Sequence, residues 1–400
     1  MNLNSEHPVC FLAQPWFSDS GHPAPCLDVL YCNVKTVVKP RVLVYVNPLA
    51  PSQAKRFFNE ALKDAVIVTA PRIVQTVLKT LFSGTIATIL YLRKQAKIKS
   101  LCVFYADVDL CALSLFIFPW PKNLLRLTAM ALVGPEHFQG GRIFKGIKWP
   151  LVKKVLSHPK FHLCLRTPQL AEAWKMAFPK SKARIAYVPS IELVGRHPPP
   201  CTQKSPTSRS RQFVIAGQIR PEKSIKILAS IFRKNPDLGR LSIIGSIIDT
   251  NLKSGLQVQM DVLNVQDRVL TDAELISFLS ASDYNLMLYH PWDNRMESAM
   301  LFTSIAAGCP VICFEGGWLG EQVIAHGLGW TTSCAKQNSL ENFLASCPHP
   351  SSGEYQDVKA KIFQCFTEWS DPSRVKIFAE TVGWNVNKII GQRCETEGKK

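Results

Sequence analysis

The sequence predicts an α/β protein of two parallel-sheet domains, on three observations. The chain has 400 residues, more than one hydrophobic core usually serves. Short apolar runs alternate with helix-period segments along most of its length, the pattern of parallel sheets covered by helices. Between residues 192 and 211 the alternation stops in a Pro/Ser-rich, basic stretch containing Pro198, Pro199, Pro200, Ser205, Pro206 and Ser208. Such composition without apolar periodicity reads as a linker. The expected domains are therefore 1–191 and 212–375, with a C-terminal helix in 376–400 packing back on the first domain.

In the first domain, Val9 to Phe17 reads as an apolar strand that runs into Ser18 to Pro23, a polar loop holding Gly21 and His22. Binding residues concentrate on strand-end loops, so His22 reads as a substrate contact or as a local cap. Cys26 to Val38 has helical spacing and Arg41 to Asn47 is a strand. Ser52 to Ala61 is a helix and Ala65 to Thr69 a short strand. Ile73 to Lys97 is a long helix whose apolar face either covers the sheet or lies on a membrane. Leu101 to Ala106 and Leu124 to Val133 are further strands. The second of these delivers Gly134 to Phe138 to its end, where Glu136 and His137 read as an acid/base or sugar-binding pair, or as turn residues. Gly146 to Ser157 is helical and basic. Its Trp149 and Leu151 beside Lys145, Lys148, Lys153 and Lys154 fit contact with anionic lipid, or a solvated face. Leu163 to Arg166, a helix from Pro168 to Ala177 and Ala183 to Val188 close the domain.

The second domain opens with a strand, Gln212 to Gly217, followed by Arg220 and Lys223 at the start of an amphipathic helix carrying Ile225, Leu228, Ile231 and Phe232. Cations at a helix N-terminus oppose its dipole, so these two read as phosphate ligands unless they are merely solvated. Leu241 to Gly245 is the next strand and turn. Thr271 and Glu274 form a capping box that opens a helix. Tyr284 to Tyr289 is a buried strand, Ser298 to Ala307 a closely packed helix stopped by Gly308 and Pro310, and Val311 to Phe314 another strand. The start of that helix, near Glu297 and Ser298, faces the carboxyl edge of a parallel sheet and is an expected anion site. Gly316 to Gly329 continues the alternation, and Val375 to Ile390 is a final helix.

Composition narrows the partners. At 46% hydrophobic and 19% charged the chain is globular rather than disordered. A net charge of +17 calls for an anionic partner. The basic residues are dispersed and carry neither an RNA-binding aromatic signature nor zinc-finger spacing, so nucleic acid is not expected. Thirteen cysteines lie in apolar runs without a CxxC pair, which argues against metal and against a disulfide framework. A reduced, cytoplasmic setting is expected. Met1 to His7 lacks a signal-peptide pattern, and no stretch has the length and apolarity of a membrane span.

The order Phe213 to Lys223, Leu241 to Gly245, Thr271 to Asp283 and Ser298 to Ile312 resembles the donor half of family-4 glycosyltransferases of GT-B architecture. The resemblance is carried by these motifs and reaches the first domain through Ser20, Gly21 and His22. It implies two Rossmann-like domains facing across a cleft. It also implies a retaining transfer of sugar from a nucleotide-diphosphate sugar to a hydroxyl acceptor, a lipid-linked or polysaccharide glycan, with no cofactor or required metal beyond that co-substrate. Peripheral contact with an anionic membrane surface is a further expectation. Lys223 matches the family's diphosphate-binding lysine. Gln218 stands where the family has arginine after the strand-end Gly217, leaving Arg220 to supply that charge. The family's two glutamates fall on Arg295 and Thr303, with Glu297 two positions from the first. Ser298, Ala299, Met300 and Leu301 are similar to the Ser-Gly-aliphatic-Leu run of polysaccharide-building relatives. Together with Glu297 and Thr303 these are the expected donor sugar and ribose contacts. His137, with Glu136, is the expected catalytic residue of the first domain, and Gly21 and His22 the acceptor loop.

Overall fold

The fold is given by a computed structural model, which describes residues 9–12, 42–45, 66–68, 100–103, 126–138, 142–199, 210–247, 249–256, 261–289, 294–333 and 336–382. The chain divides into two units: Met1–Ile191 together with Pro372–Lys400, and Glu192–Asp371.

Unit 1 carries the strands β1 (Val9–Leu12), β2 (Val42–Tyr45), β3 (Val66–Val68), β4 (Ser100–Val103), β5 (Arg126–Ala131), β6 (Phe161–Leu165) and β7 (Arg184–Tyr187). They form one parallel sheet in the order β3-β2-β1-β4-β5-β6-β7. The helices expected over 26–38, 52–61 and 73–97 lie outside the described residues. Helix α1 (Arg142–Leu156) starts before the expected Gly146 and runs through both that glycine and Pro150. Its packing thus overrides a local cost that for an interior glycine is about 1 kcal/mol. Helix α2 (Pro168–Ala177) has the bounds its caps dictate. Thr167 accepts from Leu170 N at 3.2 Å, and Pro168 occupies the first turn, where its missing N–H costs nothing.

Unit 2 carries β8 (Gln212–Ala216), β9 (Arg240–Ile244), β10 (Leu263–Gln266), β11 (Tyr284–Met287), β12 (Val311–Phe314) and β13 (Gly329–Thr332). Its sheet is also parallel, in the order β10-β9-β8-β11-β12-β13. The helices are α3 (Ile225–Lys234), α4 (Thr250–Leu256), α5 (Asp272–Ala281), α6 (Ala299–Ala307), α7 (Gly317–His326), α8 (Gln337–Ser346) and α9 (Gly353–Trp369). Alternate residues of β8 serve two cores, as the pleat requires. Phe213 and Ile215 pack with Ile225, Leu228 and Phe232, and Val214 and Ala216 with Leu279 and Ala307. The Thr271–Glu274 capping box is formed in full. Residues 192–199, within the Pro-rich stretch, pack as part of this unit. Leu193 joins Leu301 and Phe302 in one core. The Arg196 guanidinium holds Asp272 at 2.7 and 3.3 Å, while its Nε donates to Glu192 O at 2.7 Å.

Helix α10 (Ser373–Val382) returns to unit 1 and buries Val375, Phe378, Ala379 and Val382. Thr128 Oγ1 on β5 donates to Val382 O at 3.3 Å. At the exit from unit 1, Arg166 Nη2 donates to Ser190 Oγ at 2.9 Å and Arg374 Nε donates to Ser190 O at 3.1 Å.

Candidate functional site

In unit 2 the strand order reverses direction at β8, whose neighbours are β9 on one side and β11 on the other. Ligands of open parallel sheets bind beyond the carboxyl ends of the strands at such a reversal. Here β8 ends at Ala216 and turns through Gly217 at φ +85°, and β9 ends at a turn through Gly245 at φ +146°. These turns touch backbone to backbone: Gly217 N donates to Ile244 O at 3.1 Å, and a Cβ on Gly245 would fall 1.7 Å from Gly217 O. A Cβ on Gly217 would stand 3.0 Å from Met300 Sδ. The first turn of α6 is therefore set directly over the end of β8.

Lys223 enters this place from a short 3-10 turn, Pro221–Lys223, that follows the exposed Arg220. Ser224, next in sequence, is the one non-glycine among the described residues with positive φ, at 54°. That uncommon backbone ends the turn and starts α3. The Lys223 ammonium donates to Ala216 O at 2.8 Å and lies 5.9 Å from the centre of the Tyr289 ring. Burial pushes its pKa down to about 7, with repulsion from Arg220 adding and Glu222 opposing. Tyr289, just past β11, shares a 2.5 Å hydrogen bond between its hydroxyl and Ser298 Oγ. Burial pushes this phenol up to about 12.

Ser298 is the N-cap of α6, yet its side chain makes no capping bond. Among the described residues none accepts from the N–H groups of Ala299 and Met300. First-turn amides in this condition attract anions. Thr303 is 7% exposed and its hydroxyl donates to Ala299 O at 3.2 Å, inside the helix. Leu301 is a core residue. Gln218 is half-buried directly after Gly217, and Arg295 and Glu297 are half-buried in the segment leading to α6.

Gly217, Lys223, Ser298 and Met300 are thus brought together, with Gln218 and Arg220 on the same turn. Glu136 and His137 belong to unit 1 and are exposed on the 3-10 turn Pro135–Phe138 after β5. His137 N donates to Gly134 O at 3.2 Å, and its ring sits edge-on to Phe138 with centroids 5.3 Å apart. Partial burial and the charge of Lys148 hold this imidazole below its usual pKa. Gly21 and His22 lie outside the described residues. On α1, Lys153 and Lys154 are exposed, whereas the Trp149 ring packs on Phe178 with centroids 4.5 Å apart. Sequence reasoning missed Tyr289 as a site residue; its one signal was a polar end on the last aromatic of an otherwise apolar strand run.

Among the described residues no group of three or more His, Cys, Asp or Glu side chains is placed to hold a metal. Nor is any described helix long and apolar enough to cross a membrane. Cys164, Cys309, Cys313, Cys347 and Cys365 are buried.

No protein-family model matches the sequence, and no curated protein matches it. Solved structures do match by fold. HepE from Anabaena, in complex with UDP and glucose, superposes with a TM-score of 0.64 at 14% identity, covering 94% of this chain and 99% of that one. Sucrose-phosphate synthase from Thermosynechococcus elongatus gives 0.58 at 12% identity over 99% and 100%. An α,α-trehalose-phosphate synthase (UDP-forming) from Burkholderia vietnamiensis gives 0.61 at 10% over 94% and 99%. With two doubly wound parallel sheets and nearly the whole chain aligned to such structures, this is a protein of the GT-B fold.

Proposed function

We propose that the protein is a glycosyltransferase that moves a sugar from a nucleotide-diphosphate sugar to a hydroxyl acceptor, a lipid-linked or polysaccharide glycan, with retention at the transferred carbon. The observation that carries this reading is the half-buried Lys223 ammonium, held on Ala216 O at the strand reversal of a GT-B fold, beside first-turn amides of α6. As the sugar–phosphate bond breaks, negative charge grows on the leaving diphosphate. Lys223, Arg220 and the N–H groups at Ser298 to Met300 are the groups for stabilising it, and pre-oriented donors of this kind act strongly where water is excluded. The departing phosphate accepts the proton of the attacking hydroxyl. Glu136 and His137 are proposed to serve the sugar-side charge. Contact with an anionic membrane surface through Lys148, Lys153 and Lys154 belongs to the same proposal, and sedimentation with anionic against neutral vesicles tests it.

The central experiment is a thermal-shift screen of nucleotide sugars, since a bound donor raises stability by mass action. UDP-glucose comes first, because similar structures are complexes with UDP and UDP-glucose. An assay for free nucleoside diphosphate follows. Release that requires an added acceptor supports transfer; stabilisation by none of the nucleotides refutes it. A second reading, a non-catalytic GT-B scaffold that binds a nucleotide sugar or glycan, is favoured by Thr303, which is buried and hydrogen-bonded within its helix at the position of the family's second glutamate. Binding without turnover by any donor and acceptor pair would select it.

A further inference from the structure

Serine at a helix N-cap ordinarily turns its hydroxyl onto the amide of the second or third helical residue. Ser298 does not, although it stands at that position with extended backbone, φ −110° and ψ 113°. Its Oγ is held instead by the Tyr289 hydroxyl at 2.5 Å. Leu301 N is served by the backbone carbonyl of Ser298 at 3.0 Å, so the amide that a capping hydroxyl would take is that of Met300. Met300 is also the residue whose side chain lies over Gly217. The Lys223 ammonium lies 5.9 Å from the centre of the same Tyr289 ring.

We propose that Tyr289 is a positioning residue that keeps α6 uncapped: by drawing the Ser298 hydroxyl away from the helix, it leaves the Met300 amide open to the diphosphate that Lys223 also meets. This rests on the donor-binding reading above. Without the phenolic hydroxyl, Ser298 is free to rotate onto the Met300 amide and compete with the ligand. Tyr289 therefore acts through Ser298 and the helix terminus, not by contact with the reacting atoms.

The test is a double-mutant cycle read in two ways on the full chain. In titrations with UDP-glucose and with inorganic pyrophosphate, Tyr289→Phe is expected to weaken binding about fivefold, the equivalent of one N-cap bond. In the Ser298→Ala background the same change is expected to have an effect under about twofold, because no hydroxyl remains to close the helix. In ligand-free protein, hydrogen exchange at the Met300 amide is expected to slow about fivefold in Tyr289→Phe and to return to the faster rate when Ser298→Ala is added. Equal losses of affinity in both backgrounds, or an unchanged Met300 amide in Tyr289→Phe, overturns the proposal. Failure of the wild-type chain to bind any nucleotide or pyrophosphate would instead overturn the donor reading, and the exchange measurement still decides the role of Tyr289.

Discussion

On the proposed function, a donor diphosphate held by Lys223 makes binding a proton-linked event. In the ligand-free protein its pKa is pushed down to about 7 by burial and by Arg220, so at pH 7 about half of these ammonium groups have lost their proton, and at pH 8 about nine-tenths. A diphosphate placed beside the amine favours the charged form, so binding takes a proton up. Above pH 7 the affinity for a nucleotide sugar should fall about tenfold per pH unit, and below pH 6 it should level off. The nearby Tyr289, pushed up to about 12, does not titrate in this window. A nucleotide sugar is the right probe, because free nucleoside diphosphate has its own terminal phosphate titrating near pH 6. Calorimetry in buffers of different ionisation enthalpy should report uptake of about 0.5 proton at pH 7 and about 0.9 at pH 8. Lys223→Arg keeps the charge at every pH and should abolish the slope. Lys223→Ala should abolish it too and lower turnover about a hundredfold or more. Affinity that is flat from pH 6.5 to 8.5, or a slope that survives in Lys223→Ala, would refute this account of the site.

Other consequences can be checked on stability. Gly245→Ala puts a Cβ 1.7 Å from Gly217 O and should cost more than about 3 kcal/mol in urea unfolding, since both strand-end turns must move. Arg196→Ala removes two bonds to Asp272 and one to Glu192 O. A loss of about 1–3 kcal/mol is expected, with new proteolytic cutting at residues 192–199. His162 is 8% exposed, its Nδ1 has no partner among the described residues, and its pKa is pushed down to about 4 by burial and then by Arg126 and Arg184. Between pH 6.5 and 4 the unfolded chain therefore binds more protons here than the folded one. Stability should fall as pH drops through that window, and His162→Phe should flatten the profile.

Where local chemistry is self-contained, the sequence was enough. The helix from Pro168 to Ala177, the cap at Thr271, the stop at Gly308 and the apolar runs of β8, β11 and β12 depend on neighbours within a few positions, and each stands in the fold where its residues put it. The Gly217, Lys223 and Ser298 constellation was legible for the same reason: each lies at a strand or helix end marked by its own residues. What could not be read depends on distant partners. Helix α1 runs through Gly146 and Pro150, against its propensities. Helix α8 starts without a side-chain cap, and Leu193 enters a core with Leu301 from a stretch whose composition is that of a linker. The pairing of Tyr289 with Ser298 was invisible because Tyr289 reads as an ordinary strand end, and nothing local shows that its hydroxyl meets the Ser298 side chain.

The bond from Arg374 to the carbonyl of Ser190 joins residues 184 positions apart, and between them lies the whole of Glu192–Asp371. Topologically, that unit is an insertion whose entry and exit share one doorway. Two cuts at that doorway would remove it as a single continuous piece, and a short bridge would reseal what remains. A module mounted in this way is exchangeable: another with ends equally close can be spliced into the same doorway while unit 1 keeps its chain order. The Ser190–Arg374 tie thus marks the seam along which such a protein can be recombined.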